Sequence, residues 1–292
     1  MVGTIRFPNL GITLPYVIRS VSVGGLEIAC YGLVLAVAMV TGILLVMKLA
    51  DKTGQRGDDY FDFGILAVLI SVICARIYYV VFSWDYYSHH LAEIINLRLG
   101  GLAIYGGVAG GIVTAIVFCR IRKMNYWQVA DTAVPGLAWG QMIGRWGNFF
   151  NREAFGGYTD NLLAMQLPVS DVRSSEITQK MADHIQEIDG IRYIQVHPTF
   201  LYESLWNLGV FLILLVLTFR GSKKNSGRIF FWYLLLYGSG RFWIEGLRTD
   251  QLLLSGTNIP VSQLLSAILV VIAAICLYIK GNWKQIVKRN CR

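Results

Sequence analysis

Apolar positions gather into seven stretches, 28–47, 60–82, 101–119, 127–150, 197–219, 229–245 and 261–279, most of them joined by short polar connections. Each approaches the ~20 residues a helix needs to cross ~30 Å of hydrocarbon. Pro198 and Pro260 stand at the first turns of the fifth and seventh stretches, where the missing N–H removes no helical hydrogen bond. The pattern predicts an all-α fold: a polytopic membrane protein of seven transmembrane helices, forming a single integral membrane domain over 1–292. One long polar segment, 151–196, interrupts it and is expected to form a small extracytoplasmic cap. Within that segment Ile177, Met181 and Ile185 recur at helical spacing.

Composition supports the membrane reading. Hydrophobic residues make up 55% of the chain and charged residues 15%, against ~25% charged in an ordinary soluble domain. The 26 Lys and Arg exceed the 18 Asp and Glu. In a chain of spans that surplus is first a loop bias, so no nucleic-acid partner is expected. The basic residues concentrate in 48–59, 120–123, 220–228 and the tail from 280. Placing these inside puts the N-terminus outside and the C-terminus in the cytoplasm. The five cysteines form no C-x-x-C pair and four lie in apolar stretches, which reads as buried thiols. No cleavable leader is expected, because the first apolar run begins only at Ile28 with no basic residues close before it. In the third stretch, Gly106/Gly110 and Gly107/Gly111 are spaced to let a neighbouring helix approach closely.

Three charges stand where lipid forbids them. Arg76, Arg145 and Arg241 lie in the outer third of the second, fourth and sixth stretches. Each costs at least ~2.5–3.5 kcal/mol to insert, so each needs a partner. Glu245 follows Arg241 by one helical turn, a spacing that permits an ion pair. Tyr31, Tyr105, His197, Tyr202 and Glu203 open the inward-running stretches at the same depth. Together they predict a polar cavity open to the outside. Three arginines against few carboxylates predict surplus positive charge, suited to an anionic phospholipid headgroup. Arg76 either belongs to that cavity or snorkels to the outer headgroups. Two rival readings use the same residues. A transporter or flippase for an anionic lipid would need polar residues through the full depth. A structural assembly protein would need the arginines only to pair with carboxylates.

The sequence Gly144-Arg145-Trp146-Gly147-Asn148-Phe149-Phe150-Asn151-Arg152-Glu153-Ala154-Phe155-Gly156 resembles the signature G-R-x-G-N-F-x-N-x-E-x-x-G of the prolipoprotein diacylglyceryl transferases. Tyr31-Gly32, His197-Pro198, Tyr202-Glu203, Tyr237, Arg241, Glu245 and Arg248 are further family-like features, so the likeness runs from about residue 28 to the last span. One departure is plain: Tyr105-Gly106-Gly107 stands where many members have His-Gly-Gly.

The resemblance implies a multi-pass enzyme of the bacterial cytoplasmic membrane. It would move the sn-1,2-diacylglyceryl group of phosphatidylglycerol to the lipobox cysteine of a prolipoprotein signal peptide. A thioether forms and glycerol 1-phosphate is released, the first step of lipoprotein maturation. The implied partners are phosphatidylglycerol, the prolipoprotein and membrane lipid; no metal or other cofactor is required. Arg145 is expected to bind phosphate and the glycerol headgroup, and Arg241 to serve the leaving group, because a guanidinium pairs phosphate oxygens through two donors at once. Asn148, Asn151 and Glu153 would order the headgroup, and Gly156 would permit close backbone approach. Tyr105, in the place of the histidine, would orient lipid by hydrogen bonding. Tyr31, His197, Tyr202, Glu203, Tyr237, Glu245 and Arg248 complete the expected substrate-binding set.

Overall fold

The computed structural model describes residues 3–97, 100–220 and 227–290, without the side chains of Leu26 and 282–290. The predicted basic stretches at 220–228 and in the tail therefore lie partly outside the described residues, as does Cys291. In chain order the elements are strands β1 (Ile5–Phe7), β2 (Ile12–Leu14), β3 (Ser20–Val23) and β4 (Leu26–Ala29), then helices α1 (Cys30–Lys52), α2 (Gly57–Phe82), α3 (Trp84–Tyr87), α4 (Ile104–Ile121) and α5 (Tyr126–Asn151). There follow β5 (Met165–Pro168), α6 (Gln179–Ala182), β6 (Gln186–Ile188), β7 (Ile191–Val196), α7 (Thr199–Arg220), α8 (Arg228–Glu245) and α9 (Val261–Asn290).

Helices form at all seven apolar stretches, but the predicted count of seven spans is not reproduced by apolarity. Among the described residues, five helices are long and apolar enough to cross a membrane: α1, α2, α4, α7 and α9 over Val261–Gly281. The long helices left out are α5 and α8, which carry Arg145 and Arg241. Their polar residues, the reason they matter chemically, are what lowers their hydropathy.

The chain divides into two compact units. One comprises Ile43–Ala133 and Gly221–Gly227. Here α2 packs on α4 as the glycine spacing predicts: a Cβ on Gly106 would lie 2.5 Å from the Cys74 carbonyl oxygen, and one on Gly110 2.8 Å from Cys74 Cβ. The helix begins at Ile104, later than the expected 101, because Gly100 and Gly101 take φ of +79° and +77° in a preceding turn. Arg76 explains that turn. Its Nε donates to Ile94 O at 2.8 Å, Nη1 to Gly100 O and Gly101 O at 2.8 and 2.9 Å, and Nη2 to Glu93 O and Asn96 O at 2.7 and 3.3 Å. All five guanidinium N–H groups are thereby used on backbone carbonyls. Arg76 is buried and does not snorkel. Tyr105 lies in this unit too, half-buried on the first turn of α4.

The other unit comprises Met1–Gly42, Val134–Arg220 and Arg228–Arg292. In segment 151–196 the helix suggested by the spacing of Ile177, Met181 and Ile185 gives way mostly to strands. The segment after α5 contributes three strands to a five-stranded antiparallel sheet of order β2-β1-β5-β7-β6, and the N-terminal residues supply the other two. Only the four-residue α6 is helical around Met181. The hairpin β6–β7 turns at Asp189-Gly190, both at positive φ (+55° and +73°), the pairing a tight right-twisted hairpin favours. Ile5, Leu167, Ile194 and Val196 are fully buried and pack with Phe149, Phe155 and Phe200. Burying each such side chain is worth ~1.5–3 kcal/mol. That core clamps the sheet onto the end of α5, where the signature lies.

Candidate active site

The signature begins on α5 and leaves it in a sharp turn. Arg152 and Ala154, on either side of Glu153, hold φ of +55° and +58°. Left-handed conformations at non-glycine residues cost ~1–3 kcal/mol each, so something must hold them. Arg152 is buried and does so: its Nε pairs with Asp171 at 3.1 Å, Nη1 donates to Phe150 O at 3.1 Å, and Nη2 donates to Gly3 O and Val17 O at 3.3 and 2.5 Å. The turn folds Glu153 back over the helix end. Its amide donates to Asn148 O at 3.2 Å, and Asn148 Nδ2 donates to its Oε1 at 3.0 Å. Asn151 ends the helix, half-buried. Tyr31 packs on Gly147, where a Cβ would meet its ring at 2.6 Å.

Gly156 then threads between two other segments. Its amide donates to His197 O at 3.0 Å, and Gly157 donates to Leu247 O at 2.9 Å. A Cβ at Gly156 would lie 2.8 Å from both His197 Cβ and Leu247 O. The expected close backbone approach is therefore to the protein's own chain. It ties the start of α7 and the end of α8 to the signature.

The charged side chains meet around Glu203. Its Oε2 lies 2.7 Å from Arg145 Nη2, and its Oε1 lies 3.0 Å from Arg241 Nη1 and 3.7 Å from Arg248 Nη1. Arg241 also pairs with Glu245 at 2.5 Å, across the one-turn spacing read from the sequence. Arg248 grips Asp250 through two donors, Nε at 2.8 Å and Nη2 at 2.6 Å. Burial alone would raise the Asp250 carboxyl, but Arg248 outweighs it and holds the group below its ordinary 3.8. Glu203 and Glu245 are both 3% exposed.

This arrangement overturns the expected surplus of positive charge. Three guanidinium groups face three carboxylates, and Arg76 spends its donors on its own loop. The cluster is balanced, with Glu203 as its common anion. An anionic ligand must compete with Glu203 for Arg145 and Arg241.

At one edge of the cluster, His197 Nδ1 lies 3.3 Å from the Tyr202 hydroxyl, to which Asn161 Nδ2 donates at 2.9 Å. Asn9 Nδ2 holds Asn161 by donating to its carbonyl at 2.7 Å. Leu162, Leu163, Trp243 and Leu247 line the apolar groove beside these groups. Tyr237 stacks on Tyr233, with ring centroids 5.4 Å apart.

A family model described as prolipoprotein diacylglyceryl transferase matches residues 19–279. The match spans the signature and every residue of the Glu203 cluster. The chain belongs to the prolipoprotein diacylglyceryl transferase family. Among similar proteins, a phosphatidylglycerol--prolipoprotein diacylglyceryl transferase of Clostridioides difficile (strain 630) is 43% identical over 230 residues, 79% of this chain and 82% of its own. The protein of the same name from Acaryochloris marina (strain MBIC 11017) is 42% identical over 268 residues, 92% and 90% of the two chains. That from Bacillus mycoides (strain KBAB4) is 38% identical over 270 residues, 92% and 94%. The chain is thus a transferase, and with its apolar helices a multi-pass membrane protein.

Within this transferase, one unit gathers Tyr31, Arg145, Asn148, Asn151, Glu153, Gly156, His197, Tyr202, Glu203, Tyr237, Arg241, Glu245 and Arg248, while Tyr105 belongs to the other. Sequence reasoning missed Asp250 and Asn161. Asp250 had a signal, standing two residues after Arg248 on a short connection. Asn161 had none, since a long loop and Asn9 bring it to Tyr202.

Proposed function

We propose that this transferase carries the sn-1,2-diacylglyceryl group from phosphatidylglycerol to the thiol of a lipobox cysteine. The observation that carries the reading is Glu203 shared between Arg145, a residue of the signature, and Arg241. It holds two forked cations, preorganised and part-buried, about one small volume. Such groups suit a phosphate better than any neutral donor.

The chemistry follows from the bonds that change. The cysteine sulfur bonds to the glyceryl CH2 next to the phosphate, and the C–O bond breaks with its electron pair leaving on oxygen. A phosphodiester monoanion thus becomes a monoester carrying more charge, and the thiol proton balances the addition. Arg145 holds the phosphate and headgroup as it arrives. Arg241 stabilises the charge that grows as it leaves, the stage at which fixed donors lower a barrier most. The same positive groups favour the thiolate, whose ordinary pKa is near ~8.5. Asn148, Asn151 and Glu153 order the headgroup; Tyr31, His197, Tyr202, Tyr237, Glu245 and Arg248 frame the substrates. Tyr105 orients lipid by its hydroxyl.

We place the protein in the bacterial cytoplasmic membrane, with α5 and α8 completing seven spans. The sheet-bearing segment 151–196 then lies outside and the tail from 280 in the cytoplasm, as the loop charges favour. The test is mass spectrometry of a lipobox peptide incubated with purified protein and phosphatidylglycerol. The cysteine should gain one diacylglyceryl mass, stable to reduction. A peptide unchanged with folded protein, while the lipid crosses the bilayer, would favour the flippase.

A further inference from the structure

A small recess opens beside Arg241, walled by Glu203, Asn207, Tyr237 and the indole of Trp206. Trp206 is fixed there: its Nε1 donates to Leu236 O at 2.9 Å, and Gly240 leaves room for the ring where any Cβ would strike it. Asn207 is 2% exposed. Its Oδ1 is buried without a hydrogen-bond partner among the described residues. A buried amide oxygen left bare forfeits ~1–3 kcal/mol, so one kept in the wall of a ligand recess points to a donor that arrives with the ligand. The recess has a volume of about 10 Å³, room for one water-sized group.

Position identifies that group. Asn207 follows Glu203 by one turn of α7, so the two side chains are ~5–6 Å apart along the helix. The arginines that Glu203 holds are where the phosphate is proposed to sit. Three carbons carry a hydroxyl of the headgroup glycerol about that far from phosphorus. We infer that Asn207 is a specificity-determining residue, its Oδ1 accepting a hydrogen bond from a hydroxyl of the glycerol headgroup. The inference rests on the proposed function. The recess adds recognition of a polyol to recognition of a phosphate, and separates a glycerol headgroup from a phosphate ester of equal length without hydroxyls.

The test uses the full-length protein, a lipobox peptide and phosphatidylglycerol, with transfer read by mass spectrometry. Glycerol 1-phosphate and propyl phosphate are compared as inhibitors. Wild-type protein should be inhibited about three- to tenfold more strongly by glycerol 1-phosphate, the worth of one hydrogen bond. Asn207→Leu should remove the difference by weakening glycerol 1-phosphate alone. Equal inhibition of the wild type, or no inhibition by either ester, overturns the inference even if Asn207→Leu does not fold. So does an Asn207→Leu protein that loses both inhibitors equally, which would make Asn207 a support for the arginines. Absence of transfer by the wild type overturns the proposed function and this inference with it.

Discussion

Glu203→Gln should weaken the protein and tighten its hold on anions at the same time. The carboxylate is 3% exposed and has guanidinium nitrogens at 2.7, 3.0 and 3.7 Å. Removing one partner of a buried ion pair costs ~3–5 kcal/mol, because the opposite charges stay buried. In a chain of this size that lowers Tm on the order of 10 °C. The substitution also changes three cations against three carboxylates into three against two. A unit charge at ~4 Å is worth ~1 kcal/mol in water and ~4 kcal/mol at an effective dielectric of 20. Affinity for glycerol 1-phosphate should therefore rise about tenfold or more. One titration measures both effects: Tm of the purified protein in detergent, with and without the ligand. The variant should melt lower alone and gain more Tm per unit of ligand. An unchanged Tm with weaker anion binding would mean that Glu203 neither holds the arginines nor competes with phosphate.

Arg145→Ala and Arg241→Ala should each abolish transfer in the peptide assay while membrane insertion persists, since losing a charge from a span makes insertion easier. Arg241→Lys should cost at least about tenfold in kcat/KM, because a point charge cannot make two parallel contacts. Tyr105→Phe should retain measurable turnover, and loss as complete as in Arg241→Ala would assign Tyr105 proton chemistry. In the cap, burial pushes the Glu176 carboxyl above its ordinary 4.5, and Arg173 at 3.4 Å only partly offsets it. Its contribution to stability is therefore full below pH 4.5 and lost as pH rises through the raised value. Glu176→Gln should raise Tm near pH 8 and leave it unchanged near pH 4.

The long helices and the signature were legible because each leaves a local trace. Twenty apolar residues mean a helix in lipid, and an Arg241–Glu245 spacing of one turn means a pair wherever that helix forms. The cap was not legible in the same way. The spacing of Ile177, Met181 and Ile185 suggests a helix, yet Asp189-Gly190 between apolar runs is the stronger local signal and marks the β6–β7 hairpin. Strand β1 was further hidden, because its partner β5 lies more than 150 residues away and no local pattern reports such a pairing. Charge balance failed for a related reason. Counting arginines inside spans ignored Asp250 just past a helix end and the carbonyls that satisfy Arg76, both supplied by loops. Gly156 shows the limit within the signature itself: its need for a bare backbone was readable, but the neighbour it accommodates, the crossing of His197 and Leu247, was not.

Isotope placement tests the proposed transfer most directly. Phosphatidylglycerol is prepared with 18O at the oxygen joining the diacylglyceryl carbon to phosphorus, and is incubated with the protein and a lipobox peptide. Displacement at carbon, with the phosphate leaving into the Arg145–Arg241 cluster, predicts an unlabelled diacylglyceryl thioether on the cysteine and all of the 18O in released glycerol 1-phosphate. Label retained on the lipid, or release of glycerol phosphate with no modified cysteine, would contradict it.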